Sequence, residues 1–313
     1  MSKHTVFVCH WLPDGELARW RAEFPQIDFA DATISNVLSR ADITYGLPDL
    51  ATLPNMARLR WIQLASAGVP APLCPIARQQ NIRVTNLAGL YGPTIAEHAL
   101  AMLLGLNRNL HVVGRNQGVP KWDRSVADTM RDLQGKTLAV VGLGNIGTNI
   151  ARLARAFGMR VVGCKRTPTP CPFADRVYPN TELVAMLAEA DHVAIAAPLT
   201  PTTDGMVGRG ALFALRAEAI LVNVSRGPIV QEESLIEVLR TGRIRGAGLD
   251  VFAVEPLPAD HPFWTMPNVL VSPHYSGETV NTGSLPAQRF LRNLRAFQTG
   301  ELQEGLVDLV HGY

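Results

Sequence analysis

The sequence predicts an α/β fold class, with parallel sheets that carry helices on both faces. Two observations lead to this prediction. Short runs of apolar and β-branched residues alternate with helical segments along the chain, and a glycine-rich turn directly follows one of these runs. At 313 residues the chain is long enough for about two domains. We therefore expect two doubly wound parallel-sheet domains.

The first hundred residues repeat short strands and helical or turn segments, without a glycine-rich phosphate loop. A longer helix follows, because apolar residues from Ile95 to Leu110 recur on one helical face. The polar stretch at residues 111–132 is expected to form an arm or a covering loop. The predicted strands of this first part are residues 5–9, 26–29, 43–45, 61–64 and 82–85.

The glycine-rich turn reads Gly142-Leu143-Gly144-Asn145-Ile146-Gly147 and follows a predicted strand at residues 137–141. It fits G-x-G-x-x-G, in which the glycines permit a tight turn, approach of a pyrophosphate and close packing of helix on strand. We expect the backbone N–H groups of Asn145 and Ile146 to point at a phosphate from the helix N-terminus. The motif predicts a dinucleotide site, and an ordinary glycine-rich βα turn is the alternative.

A second sheet of seven strands is predicted around this turn. The helix after the turn leads to a strand at residues 160–164, which completes a βαβ unit. Five more apolar runs follow along the chain, at residues 176–178, 192–196, 219–223, 247–251 and 268–271.

The end of the chain predicts one more helix. Apolar residues at helical spacing cover residues 288–297, and Gly300 closes the segment. We expect this helix to pack back on the N-terminal part of the chain. The predicted domains are therefore residues 1–97 with 283–313, and residues 98–282.

Composition and charge exclude several classes of function. The net charge is +2 without a basic run, so we expect neither nucleic acid nor a membrane as a partner. The sequence shows no N-terminal hydrophobic region and no apolar run that could span a membrane, which favours a cytoplasmic location. The four cysteines show no C-x-x-C spacing, so we expect buried or incidental thiols and no metal site.

Three polar residues come just after predicted strands. Arg226 follows the strand that ends at residue 223, Glu255 the strand that ends at residue 251, and His274 the strand that ends at residue 271. Ligands bind outside the carboxyl ends of parallel strands, so these side chains are expected at the edge that carries the glycine turn. Taken singly, each has a plain alternative: a surface charge, a helix N-terminal carboxylate or a loop histidine.

Three other histidines give weaker indications of a chemical role. His192 lies inside an apolar run, which predicts a core histidine with its hydrogen bonds satisfied. His98 and His111 are predicted on helices without evident partners.

Motifs spread over nearly the whole chain match one known family. They are Ser66-Ala-Gly-Val69, Val84-Thr-Asn86, Ala96-Glu97, the glycine turn, Pro198-Leu-Thr-Pro201, Asn223-Val-Ser-Arg-Gly227, Gly246-Ala-Gly-Leu-Asp-Val-Phe252, Glu255-Pro-Leu257 and Pro267-Asn-Val-Leu-Val-Ser-Pro-His274. Through this combination the chain resembles the D-isomer-specific 2-hydroxyacid dehydrogenases, in particular the glyoxylate/hydroxypyruvate reductase type. The resemblance implies a Rossmann nucleotide-binding domain inserted in a flavodoxin-like substrate domain.

The resemblance implies that Arg226, Glu255 and His274 form the catalytic set. Reduction of a 2-keto acid builds negative charge on the carbonyl oxygen, so a proton donor must lie beside it, and His274 suits this role. Glu255 would fix the imidazole tautomer and stabilise imidazolium, and Arg226 would bind the substrate carboxylate with its planar guanidinium. The substrate-binding residues implied are Ala67 and Gly68, through their N–H groups, with Arg226 and His274.

The resemblance also implies the cofactor-binding residues. Where NAD-dependent members usually carry an acidic residue after the second strand, this chain reads Cys164-Lys165-Arg166-Thr167. Two cations and a hydroxyl suit a 2′-phosphate, so NADP (NADPH) is the preferred cofactor and NAD is possible. The residues implied are Gly142, Gly144, Asn145, Ile146, Gly147, Lys165, Arg166, Thr167, Pro198, Thr203, Val224, Ser225, Arg226, Asp250, His274 and Gly277.

The leading interpretation is an oxidoreductase that transfers a hydride between NAD(P)H and a small 2-keto acid or D-2-hydroxy acid. Two alternatives stay open: a phosphoglycerate dehydrogenase-like enzyme, and a non-catalytic dinucleotide-sensing binding protein of the same fold. A formate dehydrogenase is disfavoured, because relatives with that activity replace the carboxylate paired to histidine with glutamine, whereas Glu255 is present. Relatives usually dimerise through the nucleotide domain, so we expect a homodimer that uses residues 98–135.

Overall fold

A computed structural model of the protein describes residues 4–31, 36–118, 122–280, 282–301 and 303–312. The chain divides into two units, each built around one sheet of parallel strands. The first unit comprises Met1–Tyr91 and Thr279–Tyr313, and the second comprises Gly92–Glu278.

The first unit contains a five-stranded sheet. Its strands are β1 (Thr5–Val8), β2 (Asp28–Asp31), β3 (Ile43–Tyr45), β4 (Trp61–Gln63) and β5 (Arg83–Thr85). They pair in parallel in the order β2-β1-β3-β4-β5, which is the flavodoxin-like order.

The second unit contains a seven-stranded parallel sheet. Its strands are β6 (Thr137–Val141), β7 (Arg160–Lys165), β8 (Arg176–Pro179), β9 (His192–Ile195), β10 (Ile220–Asn223), β11 (Gly246–Leu249) and β12 (Val269–Val271). The order β12-β11-β10-β9-β6-β7-β8 is that of a Rossmann sheet with one strand added, and the direction of winding reverses between β6 and β9.

Helices connect these strands. In chain order they are α1 (Glu16–Glu23), α2 (Val37–Arg40), α3 (Leu73–Gln79), α4 (Gly92–Asn107), α5 (Leu110–Asn116), α6 (Asn145–Ala156), α7 (Leu183–Ala188), α8 (Arg209–Ala214), α9 (Glu232–Arg240) and α10 (Leu285–Thr299). Short 3₁₀ segments cover Leu50–Asn55, Ser125–Thr129, Asn180–Glu182, Gly227–Ile229 and Pro262–Trp264. Within the described residues, none of the helices is long and apolar enough to cross a membrane.

Burial on both faces explains why the strands appear in the sequence as continuous apolar runs. Every residue of β6 and of β9 is buried, as expected for parallel strands covered by helices on both sides. The fold class predicted from these runs, with five strands in one sheet and seven in the other, is confirmed. Strand boundaries agree with the predicted ones at half of the ends and differ by one or two residues at the other half.

Helix α10 completes the core of the first unit. Phe290 is fully buried and its ring lies 4.9 Å from that of Trp20, 5.1 Å from that of Tyr45 and 5.5 Å from that of Trp61. Aromatic pairs at such separations add about 0.5–1.5 kcal/mol each beyond area burial. Gly300, with a φ of +79°, ends the helix.

The unit boundaries fall earlier in the chain than the expected ones. The division drawn from the sequence starts the nucleotide-binding part at residue 98 and returns to the first part at residue 283, whereas the units change at residues 92 and 279. Helix α4 accounts for the first difference, because it is continuous from Gly92 and packs against α6, β10 and β11 of the second unit.

The helix predicted to reach Leu110 ends earlier. Helix α4 stops at Asn107, Asn109 has a left-handed φ of +52°, and α5 begins at Leu110. The polar stretch predicted as an arm or covering loop therefore begins as a helix, and it also holds the 3₁₀ segment Ser125–Thr129. Residues 119–121 of that stretch lie outside the described residues.

His192 is a core residue, as predicted. Its side chain is buried in β9, and its Nδ1 accepts the Ile220 N–H of β10 at 3.3 Å. Burial lowers the pKa of His192 to about 4. The folded protein therefore holds this imidazole neutral at pH values where an unfolded chain would protonate it.

We expect this difference to make the protein less stable as the pH falls from 6.5 toward 4. The unfolded state binds the proton first, so the free energy of unfolding decreases over this range by on the order of 3 kcal/mol. His192→Asn keeps an acceptor for Ile220 without the titration, so its stability should depend less on pH. Urea unfolding of both proteins across this range measures the effect, and equal pH dependences would contradict it.

Candidate active site

The predicted site residues of the second unit follow six neighbouring strands. These strands, β12-β11-β10-β9-β6-β7, are all parallel, so their carboxyl ends lie at one edge of the sheet. In the same order, His274, Glu255, Arg226, Pro198 and the glycine turn follow the first five strands, and Lys165 is the last residue of β7. The structure therefore brings this part of the predicted set to one edge.

The three glycines of the turn have different surroundings. Gly142 has a φ of +94°, and a Cβ there would lie 2.5 Å from the backbone nitrogen of Ala197. A Cβ on Gly147 would lie 2.0 Å from the carbonyl oxygen of Gly142. A Cβ on Gly144 would meet no atom of the described residues within 4 Å. Packing therefore requires the first and third glycines, while the second leaves open space in front of the turn.

The turn also presents the N-terminus of α6 at this open space. The helix begins at Asn145, and its first N–H groups have no partner within the helix. The N–H groups of Gly142 and Leu143 donate to the Cys164 carbonyl oxygen, at 2.9 and 3.2 Å, which ties the turn to β7. Partial positive charge beside open space suits a phosphate, so the turn fits the pyrophosphate of a dinucleotide.

The residues predicted to bind the 2′-phosphate lie next to this turn. Lys165 is the last residue of β7 and is partly buried, and Arg166 and Thr167 are exposed. Cys164 before them is buried, and burial raises the pKa of its thiol to about 11, so it packs as a neutral residue. All four cysteines are free, and Cys9 alone is only partly buried.

Hydrogen bonds of hydroxyl groups stabilise the loops that follow β9 and β10. Thr203 donates to the Pro198 carbonyl oxygen at 2.6 Å and accepts the Thr200 N–H at 2.8 Å. The Ser225 hydroxyl donates to the Ala197 carbonyl oxygen. These predicted cofactor residues therefore shape the edge of the sheet through their own hydrogen bonds. Two further ones, Val224 and Gly277, are buried and partly buried respectively.

Arg226 lies in a loop that Asn223 holds. The buried Asn223 amide donates to the Arg226 carbonyl oxygen at 3.1 Å, and Asn223 Oδ1 accepts the Ser225 N–H at 3.1 Å. Arg226 Nη1 donates to the Ser225 carbonyl oxygen at 2.6 Å. Burial lowers the pKa of Arg226, and the negative charge of Glu255 opposes that change. A guanidinium has five N–H donors in a planar fork, so this one can also bind a carboxylate.

The loops after β10 and β11 touch backbone to backbone. A Cβ on Gly227 would lie 1.9 Å from the carbonyl carbon of Phe252. The Phe252 N–H in turn donates to Glu255 Oε1 at 2.9 Å. The loop that carries Arg226 and the loop that carries Glu255 are therefore fixed relative to each other.

Glu255 and His274 form a hydrogen-bonded pair. Glu255 Oε2 lies 2.6 Å from His274 Nδ1, with the side chains 34% and 44% exposed. A carboxylate only accepts, so Nδ1 carries the hydrogen of this bond. The pair therefore leaves Nε2 as the ring atom that can exchange a proton with a ligand.

Asp250 supports the turn that carries His274. Its side chain is fully buried, and Oδ1 accepts from the Ser272 hydroxyl at 2.5 Å and from the Tyr275 N–H at 3.1 Å. Oδ2 accepts the Ser276 N–H at 3.1 Å. The sequence resemblance assigns Asp250 to cofactor binding, whereas the structure shows its carboxylate bonded to residues on both sides of His274. A direct role of Asp250 in cofactor binding stays a prediction.

His274 itself has a left-handed backbone, with a φ of +55°. Its N–H donates to the Ser272 carbonyl oxygen at 3.1 Å. Few residues other than glycine adopt this conformation, and such strain costs on the order of 1–3 kcal/mol unless the surroundings enforce it. Here the hydrogen bonds of Asp250 to Tyr275 and Ser276 enforce it, and no sequence pattern indicates the strain.

The interpretation of His98 and His111 as lacking partners is wrong. His98 Nε2 lies 3.0 Å from Ser272 Oγ, and its ring meets that of Tyr275 edge-on at 5.4 Å. His111 Nδ1 lies 3.3 Å from the Gly105 carbonyl oxygen. The partner of His98 is 174 residues away in the chain, so only the fold brings the two together.

In the first unit, Ala67 and Gly68 lie in the loop after β4. The Asn86 amide donates to the Ala67 carbonyl oxygen at 2.8 Å, and the Ser66 hydroxyl donates to the Gly68 carbonyl oxygen at 2.8 Å. In a trans peptide the C=O and N–H groups point in opposite directions, so the Gly68 N–H points away from Asn86. The role of both residues in binding a carboxylate stays a prediction.

Known proteins resemble the chain in sequence and structure. Residues 100–276 match the family model described as D-isomer specific 2-hydroxyacid dehydrogenase, NAD binding domain. Glyoxylate reductase from Korarchaeum cryptofilum is 36% identical over 323 residues, which cover 98% of this chain and 96% of that protein.

Two solved structures also resemble the chain over nearly its whole length. A D-isomer specific 2-hydroxyacid dehydrogenase family protein from Aeromonas salmonicida aligns with a TM-score of 0.85 at 31% identity, over 98% of this chain and 100% of that one. A D-isomer specific 2-hydroxyacid dehydrogenase from Xanthobacter autotrophicus, in complex with NADPH and MES, aligns with a TM-score of 0.83 at 28% identity, over 100% of both chains.

We expect Gly144→Ala and Gly147→Ala to have different effects. The Gly147 methyl group would overlap the Gly142 carbonyl, so this variant should lose at least about 2 kcal/mol of stability. The Gly144 methyl group would enter open space, so this variant should keep its stability within roughly 1 kcal/mol but bind NADPH more weakly. Thermal unfolding and fluorescence titration with NADPH measure both properties. An equal loss of stability in the two variants would contradict the assignment.

Proposed function

The chain belongs to the D-isomer specific 2-hydroxyacid dehydrogenase family, and we propose that it reduces a small 2-keto acid such as glyoxylate or hydroxypyruvate, with NADPH preferred over NADH. The observation that carries this proposal is the hydrogen-bonded pair of His274 and Glu255, which follows two neighbouring strand ends beside Arg226. The similarity to a glyoxylate reductase over nearly the whole chain supports the choice of substrate class.

The residues of the pair have complementary roles in the proposed reaction. When bound, NAD(P)H supplies the hydride for the carbonyl carbon. His274 Nε2 then gives its proton to the developing oxyanion, because Nδ1 is occupied by Glu255. Glu255 orients the ring and stabilises the imidazolium that must exist before the proton is given. In the reverse direction His274 accepts the proton of the hydroxyl group.

Arg226 is proposed to bind the carboxylate of the 2-keto acid. Its guanidinium is partly buried, so a charge-assisted bond to the substrate meets less competition from water than it would at the surface. The Gly227–Phe252 contact fixes the distance between the Arg226 loop and the Glu255 loop. The carboxylate and the carbonyl of one substrate would therefore be held at a set spacing.

The assay that tests this function follows the absorbance of NADPH with a panel of 2-keto acids. The panel contains glyoxylate, hydroxypyruvate, pyruvate and 3-phosphohydroxypyruvate. We expect turnover with one of the first two and little with the last. Preferred turnover of 3-phosphohydroxypyruvate would indicate a phosphoglycerate dehydrogenase-like enzyme, and tight NADPH binding without turnover of any acid would indicate a binding protein.

Glu255→Gln should change how the reductase activity depends on pH. The amide keeps a hydrogen bond to His274 Nδ1 but removes the negative charge that favours imidazolium. The pH profile of kcat/KM for keto acid reduction should then shift toward acid pH, with a lower rate at neutral pH and partial recovery at acid pH. Initial rates across the pH range measure this shift, and an unchanged profile would remove Glu255 from the proton transfer.

Cofactor preference should depend on Lys165 and Arg166. Hydrogen bonds to charged groups contribute about 1.5–3 kcal/mol each, so each contact with a 2′-phosphate would favour NADPH roughly tenfold to a hundredfold. The double variant Lys165→Asp, Arg166→Ala should therefore shift both kcat/KM and Kd from NADPH toward NADH. A parent protein that prefers NADH would contradict the proposal.

A matched control is available at the opposite, amino end of the same sheet. Lys136 and Arg160 are exposed at the amino ends of β6 and β7, away from the glycine turn. The variant Lys136→Asp, Arg160→Ala makes the same change in charge, and it should leave the NADPH to NADH ratio as in the parent. An equal shift in both double variants would show that net charge alone sets the preference.

The expected homodimer and cytoplasmic location stay predictions. The segment expected to form the dimer interface, residues 98–135, exposes large apolar side chains, as such an interface requires. They are Leu110, Val113 and Trp122, with 58%, 40% and 93% of their surface accessible.

A further inference from the structure

His98 contacts the turn at residues 272–276, which carries His274, from a helix that otherwise has packing roles. His98, Met102 and Leu106 lie on one face of α4, at i, i+4 and i+8. Met102 and Leu106 pack on β11: a Cβ on Gly248 would lie 2.8 Å from Met102 Cβ, and one on Gly246 would lie 3.4 Å from Leu106 Cδ2. The same face therefore carries His98 to the carboxyl end of the sheet, where Asp250 follows β11.

The hydrogen bonds define the tautomer of His98. Ser272 has one hydroxyl hydrogen, and its bond to Asp250 at 2.5 Å falls within the range of charge-assisted O–H bonds, roughly 2.5–2.7 Å. The hydroxyl hydrogen is therefore used, and Ser272 Oγ can only accept from His98 Nε2 at 3.0 Å. His98 accordingly carries hydrogen on Nε2. Burial lowers the pKa of His98 while Asp250 opposes the change, which agrees with a neutral ring.

The hydrogen bonds that begin at His98 reach residues on both sides of His274. From His98 it passes through Ser272 to Asp250, whose carboxylate also accepts the N–H groups of Tyr275 and Ser276. The His98 ring meets the Tyr275 ring edge-on at 85°, so α4 touches the turn on each side of His274. Ser272 and Ser276 are buried, so few other donors can replace these contacts.

We propose that His98 is a positioning residue for His274: its Nε2–H donates to Ser272, directs the Ser272 hydroxyl to Asp250 and so holds residues 272–276 in the conformation that presents the imidazole. The kinetic part of this inference rests on the reductase function proposed above. A structural part does not depend on it, because the hydrogen bonds of Tyr275 and Ser276 join protein groups only.

The test compares His98→Leu, which removes the donor, with His98→Gln, whose amide can donate from a similar position. For His98→Leu we expect kcat to fall roughly tenfold while KM for the keto acid changes less than about twofold, since the imidazole is misplaced for a step made in the transition state. Amide hydrogen exchange of Tyr275 and Ser276 should become about tenfold faster. His98→Gln should restore both properties to within about threefold of the parent.

A double-mutant cycle with Ser272→Ala tests whether the two residues act through one bond. Ser272→Ala should show the same loss of kcat and the same faster exchange. The double variant His98→Leu, Ser272→Ala should be no slower than the slower single variant. Independent, additive losses would overturn the proposal, and Ser272→Ala supplies the measurement if His98→Leu does not fold.

His111→Leu is the matched control, because His111 is another partly buried helix histidine of the same unit that bonds to Gly105 and not to residues 272–276. It should leave kcat and the exchange of Tyr275 and Ser276 as in the parent. Parental exchange in His98→Leu would overturn the proposal, as would equal loss of kcat in His98→Leu and His98→Gln. A parent protein inactive with every keto acid would refute the reductase function instead, and the exchange data would still decide the role of His98.

Discussion

The buried carboxylate of Asp250 is the group on which the geometry of the candidate site depends. A carboxylate without access to water costs several kcal/mol unless donors surround it. Its donors are the Ser272 hydroxyl and the N–H groups of Tyr275 and Ser276. These donors flank His274 in the chain. The same hydrogen bonds that satisfy the carboxylate therefore also hold the left-handed backbone of His274. The cost of that backbone conformation is offset by three hydrogen bonds.

Close backbone contacts also hold neighbouring loops in place along this edge of the sheet. Gly227 lies against Phe252, whose N–H bonds to Glu255, and Gly142 lies against Ala197 and Gly147. Such contacts leave no room for a side chain, so neighbouring loops have few ways to shift independently. The loops that carry the groups proposed to bind the substrate are therefore positioned by backbone packing.

Much of this arrangement could be predicted from the sequence. Continuous apolar runs gave the two sheets, and the rule that ligands bind at the carboxyl ends of parallel strands pointed to Arg226, Glu255 and His274. The supporting network of His98, Ser272 and Asp250 could not be found in this way. Periodicity shows which face of α4 is buried, but it does not show which strand end that face reaches. Helix boundaries also depended on local backbone, as the left-handed Asn109 between α4 and α5 shows.

The order of the strands places the residues proposed for cofactor preference far from the residue proposed for proton transfer. His274 follows β12 and Lys165 ends β7, and five strand spacings of about 4.8 Å, or about 24 Å in all, lie between these strands. Exposed charges so far apart are largely screened from each other at physiological salt. The hydrogen bonds that fix His274 come from residues at the ends of β11 and β12 and from α4, and none of those described involves β7. The proposed selection between NADPH and NADH at Lys165 can therefore change without disturbing the proposed proton transfer at His274, because the two residues lie far apart and the hydrogen bonds that fix His274 do not involve β7.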